Sequence, residues 1–355
     1  MYIVVAIIAF GLLIAVHELG HFLAAKSLGV RVSEFAIGMG PKILKKQGRE
    51  TLYTLRMLPF GGFCAMDEDE EAVDDKSFTA QKRWRRVIIL AAGAAANFIV
   101  GFLIIIILSA QINTFVGTTV TGFIDGFPLE GEQGLMAGDS IVSINGERLY
   151  YADDFLLFMT LADSGEVDLV VRRDGETIIR SGLPLERREY VINGGMELKY
   201  GINFNSIEGS FGESLKYSCY TAMNNVRLIR VSLVMLFTGQ AGLADISGPV
   251  GMVSMMNDIG QSAEESGASV WAALGSLLNF TAFIMINLAV MNMLPIPALD
   301  GGRIVGLFIT WIIEKIIRRR LDPKYEGYIH TGALVLLMGL MALVLVSDVF
   351  KIFNG

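Results

Sequence analysis

Four stretches of the chain are almost continuously apolar: 2–28, 87–112, 270–294 and 329–346. None shows the strict alternation of a half-buried strand, and each reaches the roughly 18–25 residues that a helix needs to cross hydrocarbon. The pattern predicts a polytopic α-helical membrane protein with four transmembrane helices. The first stretch is broken only by His17, Glu18, His21 and Lys26. It has no basic start and no small-residue cleavage pattern, and it is too long for a signal-peptide core, so it is expected to persist as a helix. The intervening segments read differently. Residues 31–66 alternate and are punctuated by GMGP, KQGR and PFGG, which predicts a small β-sheet or hairpin. From about 113 to 186 the alternation of DSIVSING and VDLVVRRDGETIIRS predicts a compact β-rich domain, with a hairpin turn at Asp174-Gly175. YVINGGMELKYGINF suggests a further hairpin through Asn193-Gly194.

Charge orients this pattern. The segment between the first two apolar stretches carries eleven Lys and Arg residues, and Lys315, Arg318, Arg319, Arg320 and Lys324 follow the third. Basic residues near span ends stay cytoplasmic. Both clusters are cytoplasmic only if the N-terminus and the region 113–269 lie outside. Residues 214–238 are apolar on one side but include Lys216, Asn224, Asn225, Arg227 and Arg230, so they are expected to lie along the membrane surface. Residues 298–313 are short and interrupted by DGGR, and are not counted as a span. With 53% hydrophobic and 18% charged residues, the composition exceeds the soluble norm of about 45–50% apolar. The net charge of −7 argues against a nucleic-acid partner, and the acidic run at 67–75 reads as a solvated loop. Cys64 and Cys219 fall on opposite membrane sides in this topology, so no bridge between them is expected.

One feature contradicts an inert apolar helix. His17 and His21 stand at i and i+4 on one face of the first stretch, with Glu18 beside them, and the chain has only three histidines. Such a pair can hold Zn²⁺ while the glutamate activates a water. An ionisable group at bilayer depth costs roughly 2.5–3.5 kcal/mol, which a metal partner would largely offset. A third ligand is needed, and Asp300 is the one carboxylate in the broken stretch NMLPIPALDGGR (292–303). Pro295 and Pro297 interrupt the helix there and Gly301-Gly302 permit a sharp bend. Gly93, Asn97 and Gly101 recur at i+4 spacing on the second stretch and suggest a close helix seam. His330 reads as an interfacial residue.

HELGH (17–21) and NMLPIPALDGG (292–302) together resemble the site-2 protease family of intramembrane zinc metalloproteases, and the resemblance covers nearly the whole chain. GMGPK and LPFGGF resemble the family's membrane-associated β-region, which presents an edge strand to substrate. ISGPVG (246–251) also looks familial, as does KRWRRVIILAAGAAAN, with Ala94 where relatives often have proline. GLMAGDSIVSINGERL (134–149) resembles the core of a PDZ domain, which would either bind chain ends by strand addition or exclude bulky substrates. The resemblance implies His17, His21 and Asp300 as zinc ligands and Glu18 as general base. It also implies Asn287 and Asn292 as substrate-positioning residues, with interhelical hydrogen bonding the alternative, and Asn97 is a candidate for the same positioning role.

The implied layout runs as follows. Helix 1 occupies 1–28, a cytoplasmic β-region with its acidic loop 29–86, and helix 2 87–112. An extracytoplasmic PDZ-like domain covers 113–186, and a hairpin with membrane-surface helices 187–269. Helix 3 with the LDGG segment covers 270–313, a basic cytoplasmic loop 314–328, and helix 4 with the C-terminus 329–355. The expected protein is a multi-pass zinc endopeptidase of a bacterial cytoplasmic membrane. Its substrates would be transmembrane segments of single-span proteins such as anti-sigma factors, or remnant signal peptides. The competing reading is a membrane scaffold that binds partners through the PDZ-like domain around a structural zinc. A structural site has no use for the adjacent Glu18, which favours the enzyme. Nothing in the sequence sets an oligomeric state.

Overall fold

The computed structural model describes residues 2–66, 75–162, 165–192, 194–240, 242, 248–296, 298–319, 332, 335 and 339. The expected fourth span at 329–355 and His330 lie outside the described residues, apart from those three positions. The chain divides into two compact units, Met1–Ile105 with Asn225–Gly355, and Ile106–Asn224.

Three helices among the described residues are long and apolar enough to cross a membrane: α1 (Tyr2–Ser27), α2 (Arg83–Ser109) and α6 (Val270–Asn292). They coincide with the first three apolar stretches. On α1, Tyr2, Ala6, Leu13, Gly20, His21 and Ala25 are buried, while Ile3, Val4, Ile8, Leu12, Leu19 and Leu23 are 41–64% exposed. So much open aliphatic surface on one helix suits lipid, not water. Backbone contact holds the spans together. A Cβ at Gly20 would lie 2.8 Å from the Ala96 Cβ and closer still to the Ala92 carbonyl of α2. One at Gly101 of α2 would lie 3.0 Å from the Ala282 carbonyl of α6. Without hydrophobic force between helices in lipid, such close packing is what binds them. Helix α5 (Pro249–Glu265) joins through Met256, which shares a buried cluster with Tyr2, Leu13, Leu277 and Met285. Helix α7 (Asp300–Ile317) packs Ile304 and Leu307 against Ala25, Val32, Phe78 and Leu90.

Strands β1 (Val32–Gln47) and β2 (Leu52–Met66) form the expected small sheet, and each folds back on itself. Gly38, Gly40 and Gly61 take φ values of 81–85°, open to glycine at little cost. Residues 34–37 are consequently flanked by 52–55 on one side and by 62–65 on the other, while 42–47 pair with 52–56. The final limb, 62–66, is left at an edge.

The second unit is built on strands in the order β10-β3-β4-β6-β7, with β5 paired to β4. These are β3 (Thr114–Phe123), β4 (Ser140–Ile144), β5 (Glu147–Arg148), β6 (Glu166–Arg173), β7 (Glu176–Pro184) and β10 (Ile202–Glu208). Helix α3 (Ala152–Leu161) buries Phe155 and Phe158 against Ile141, Ile144, Leu169 and Val171. The Asp174-Gly175 turn takes positive φ at both residues, and β8 (Arg188–Ile192) pairs with β9 (Gly195–Lys199) around Gly194. Asp139, wholly buried, is gripped by the Arg173 guanidinium at 2.7 and 2.8 Å. Burial pushes the Asp139 carboxyl up, but the Arg173 bonds outweigh it and hold it below the usual range. Removing Arg173 would leave a buried charge unpaired, which costs about 3–5 kcal/mol. The first half of α4 (Phe211–Thr238) closes the unit through Tyr217 to Asp153 at 2.6 Å and Asn224 to Asp154.

The boundary expected at 186 falls inside this unit. β10 pairs with β3, Ile202 opposite Phe123 and Glu208 opposite Thr114. A strand pairing across some eighty residues leaves no local trace in sequence.

Candidate active site

Helical periodicity stacks His17 and His21 on one face of α1, with ring centroids 4.7 Å apart and planes nearly perpendicular. Their Nε2 atoms are 3.2 Å apart. Asp300 arrives from the far end of the chain as the first residue of α7. Helix α6 ends at Asn292 and α7 begins at Asp300, with Ala298 between them at φ +82°. Gly301 makes the return possible, because a Cβ there would strike the carbonyls of Met293 and Leu294. Pro297 lies outside the described residues. The carboxylate also gains from the helix N-terminus, whose dipole favours an anion in the first turn. Asp300 Oδ2 lies 3.3 Å from His17 Nε2 and 3.3 Å from His21 Nε2.

Among the described residues, His17, His21 and Asp300 form the one group of three ligand-type side chains gathered this closely. The chemistry of the three atoms can be tested directly. His21 Nδ1 donates to the Ile89 carbonyl of α2 at 2.8 Å, so in the neutral ring Nε2 carries a lone pair. Asp300 Oδ2 is buried with no hydrogen-bond partner among the described residues. Lone pairs from two imidazoles and a carboxylate thus converge at 3.2–3.3 Å. That separation is close to the edge, about 3.3 Å, of a tetrahedron with metal–ligand bonds of 2.0–2.1 Å. The residues fit a zinc ion.

Glu18 faces the β-sheet. A Cβ at Gly62, in the last limb of β2, would lie 3.3 Å from the Glu18 Cγ. The edge limb of β2 therefore positions the candidate base. Asn292 Nδ2 is 3.4 Å from His17 Nε2, so this amide joins the cluster. Asn287, half-buried on α6, has no hydrogen bond to the cluster among the described residues. Asn97 is wholly buried, out of reach of anything approaching from outside, and neither of its amide atoms has a partner among the described residues.

Sequence reasoning missed what supports the three ligands. A Cβ at Gly93 would lie 2.7 Å from His21 Cε1 and 2.8 Å from His17 Cε1. This glycine, expected only in a helix seam, is where α2 presses on both rings. Its i+4 spacing to Asn97 and Gly101 was the visible signal; which neighbour it faces was not. The carbonyl of Ile89, which holds His21, carries no sequence signal at all.

Residues 5–340 match the model of peptidase family M50. The chain is similar to a putative zinc metalloprotease of Clostridium perfringens, 36% identical with 98% of each chain aligned. It is similar to another from Fusobacterium nucleatum, 30% identical with 100% of each chain aligned. The regulator of sigma-W protease RasP of Bacillus subtilis is 28% identical, with 99% of each chain aligned.

Proposed function

The chain belongs to peptidase family M50, the site-2 protease family of metalloproteases, and we propose that it cleaves transmembrane segments within the bilayer, with zinc held by His17, His21 and Asp300. The observation that carries this reading is the convergence of three lone pairs at 3.2–3.3 Å on an otherwise apolar span, with Glu18 on the same helix.

Bound zinc would polarise the scissile carbonyl and make water acidic enough to ionise near neutral pH. Glu18 takes the proton of the attacking water on its carboxylate and passes it to the leaving amine. The limb of β2 at Gly62 packs against that side chain. Ile89 fixes the His21 tautomer, as outer partners of metal-binding imidazoles do. Asn292, beside His17, and Asn287 on the same helix position the substrate backbone. The substrates are single-span membrane proteins, such as anti-sigma factors, or remnant signal peptides. The relative named as a regulator of sigma-W supports the first class.

Replacing Glu18 with Gln removes the base and leaves the ligands. Glu18→Gln should keep zinc, measured by metal analysis, and lose cleavage of a model single-span substrate by at least a hundredfold, within the range for a lost general base. Normal turnover by this variant would end the proposal.

A further inference from the structure

Among the buried polar groups of the first unit that lack partners among the described residues, two besides Asp300 Oδ2 belong to the α1–α2 pair that carries the proposed zinc site. One is the amide of Asn97, with Oδ1 and Nδ2 both unpaired on a wholly buried side chain. The other is Nδ1 of His17. His21 shows what such a nitrogen needs, since its own Nδ1 is satisfied by the Ile89 carbonyl. With Asn292 Nδ2 3.4 Å from Nε2, the proton of the neutral His17 ring belongs on Nδ1, where an acceptor would fix the ring as Ile89 fixes that of His21.

Helix α2 brings the two groups together. Gly93 lies against the His17 ring, where a Cβ would come within 2.8 Å of Cε1, the carbon bonded to Nδ1. Asn97 is one turn further, about 6 Å along the axis and 40° around it. Another turn on, a Cβ at Gly101 would lie 3.2 Å from the Met285 Cβ of α6. Asn97 thus stands on α2 between Gly93, which lies against the imidazoles of α1, and Gly101, which lies against α6, and its side chain is wholly buried. An enclosed amide with both ends unpaired forfeits its hydration, and proteins satisfy such groups with an internal water bound to two or more polar partners. Substrate cannot serve as that partner, because the side chain has no exposed surface.

We propose that Asn97 is a positioning residue for His17, acting through a water that bridges its amide to Nδ1–H of the ring. This rests on the reading of His17, His21 and Asp300 as the zinc site. Asn97 is the counterpart of Ile89: each supplies the outer partner of one imidazole.

The test is zinc affinity, by competition with a chelator, in the full-length protein carrying Glu18→Gln so that turnover plays no part. Asn97→Leu, similar in volume but apolar, should weaken zinc binding about 10–100-fold, the usual cost of losing such a partner. Asn97→Ser, which can still hold a water, should restore most of it. With Glu18 intact, Asn97→Leu should lower kcat while KM stays within about twofold. Unchanged zinc affinity in folded Asn97→Leu overturns the bridge, and so does a rise in KM alone, which would mean a substrate contact. Should Asn97→Leu fail to fold, hydroxyl-radical footprinting of the otherwise unaltered Asn97 protein decides. Oxidation of buried Met285 and of the α2 peptide around Asn97 supports an internal water, and its absence overturns one. None of these failures touches the protease reading, which normal turnover by Glu18→Gln alone would overturn.

Discussion

At the scale of single residues, the site depends as much on missing atoms as on present ones. Gly93 brings α2 against both imidazoles, and Gly301 lets Asp300 fold back beneath the end of α6. A Cβ 2.7–2.8 Å from the ring carbons is closer than real Cβ contacts come, so Gly93→Ala must push the His17–His21 pair or α2 aside. Asp300→Ala instead removes one of the three proposed ligand atoms. Both variants should therefore lower zinc content per mole of folded protein, whereas Asn292→Ala should keep the metal and lose turnover. Full zinc and full activity in Gly93→Ala would show that α2 yields at no cost to the site. The same result in Asp300→Ala would remove it from the ligand set.

Among the elements, the β1–β2 sheet does what no span can do, because its last limb packs against Glu18, where a Cβ at Gly62 would lie 3.3 Å from Cγ. Its first limb is secured by Glu34, which accepts from Thr54 at 2.7 Å, Arg56 at 2.9 Å and Lys42 at 3.0 Å. Burial pushes the Glu34 carboxyl up, but these bonds outweigh it and hold it down at about 2, against 4.5 for a free glutamate. A carboxyl depressed by folding stabilises the sheet fully above the unfolded value. That contribution falls away as pH drops from about 4.5 to about 2. Hydrogen exchange of residues 32–66 should accordingly quicken across that window, and Glu34→Gln should exchange faster at neutral pH with no further step on acidification. An identical acid profile in the variant would place the sensitivity elsewhere.

For the whole molecule, the prediction concerns sidedness. From the basic residues between α1 and α2, and those from Lys315 onward, we expect the β1–β2 sheet in the cytoplasm and the second unit outside. In a protein with Cys64 and Cys219 replaced by serine, Glu176→Cys should react with an impermeant thiol reagent from outside intact cells. Gln47→Cys should react only after the membrane is opened. Labelling of both from the same side would overturn the four-span arrangement, including the fourth helix expected at 329–355.

Much of this protein was legible in the chain itself, because the signals concerned are local. Hydrocarbon thickness sets the length of an apolar run, so α1, α2 and α6 stand out without reference to any neighbour. The i, i+4 spacing of His17 and His21 puts both on one helical face whatever packs against it. The Asp174-Gly175 turn likewise needs only its own two residues. Contacts between distant segments left no such mark. Pairing of β10 with β3 extends the second unit well beyond the expected boundary. The fold-back of β2 brings Gly62 against Glu18. Ile89 offers His21 a carbonyl that every residue possesses. Backbone groups are the same at every position, so only the tertiary structure could decide which of them meets the proposed ligands.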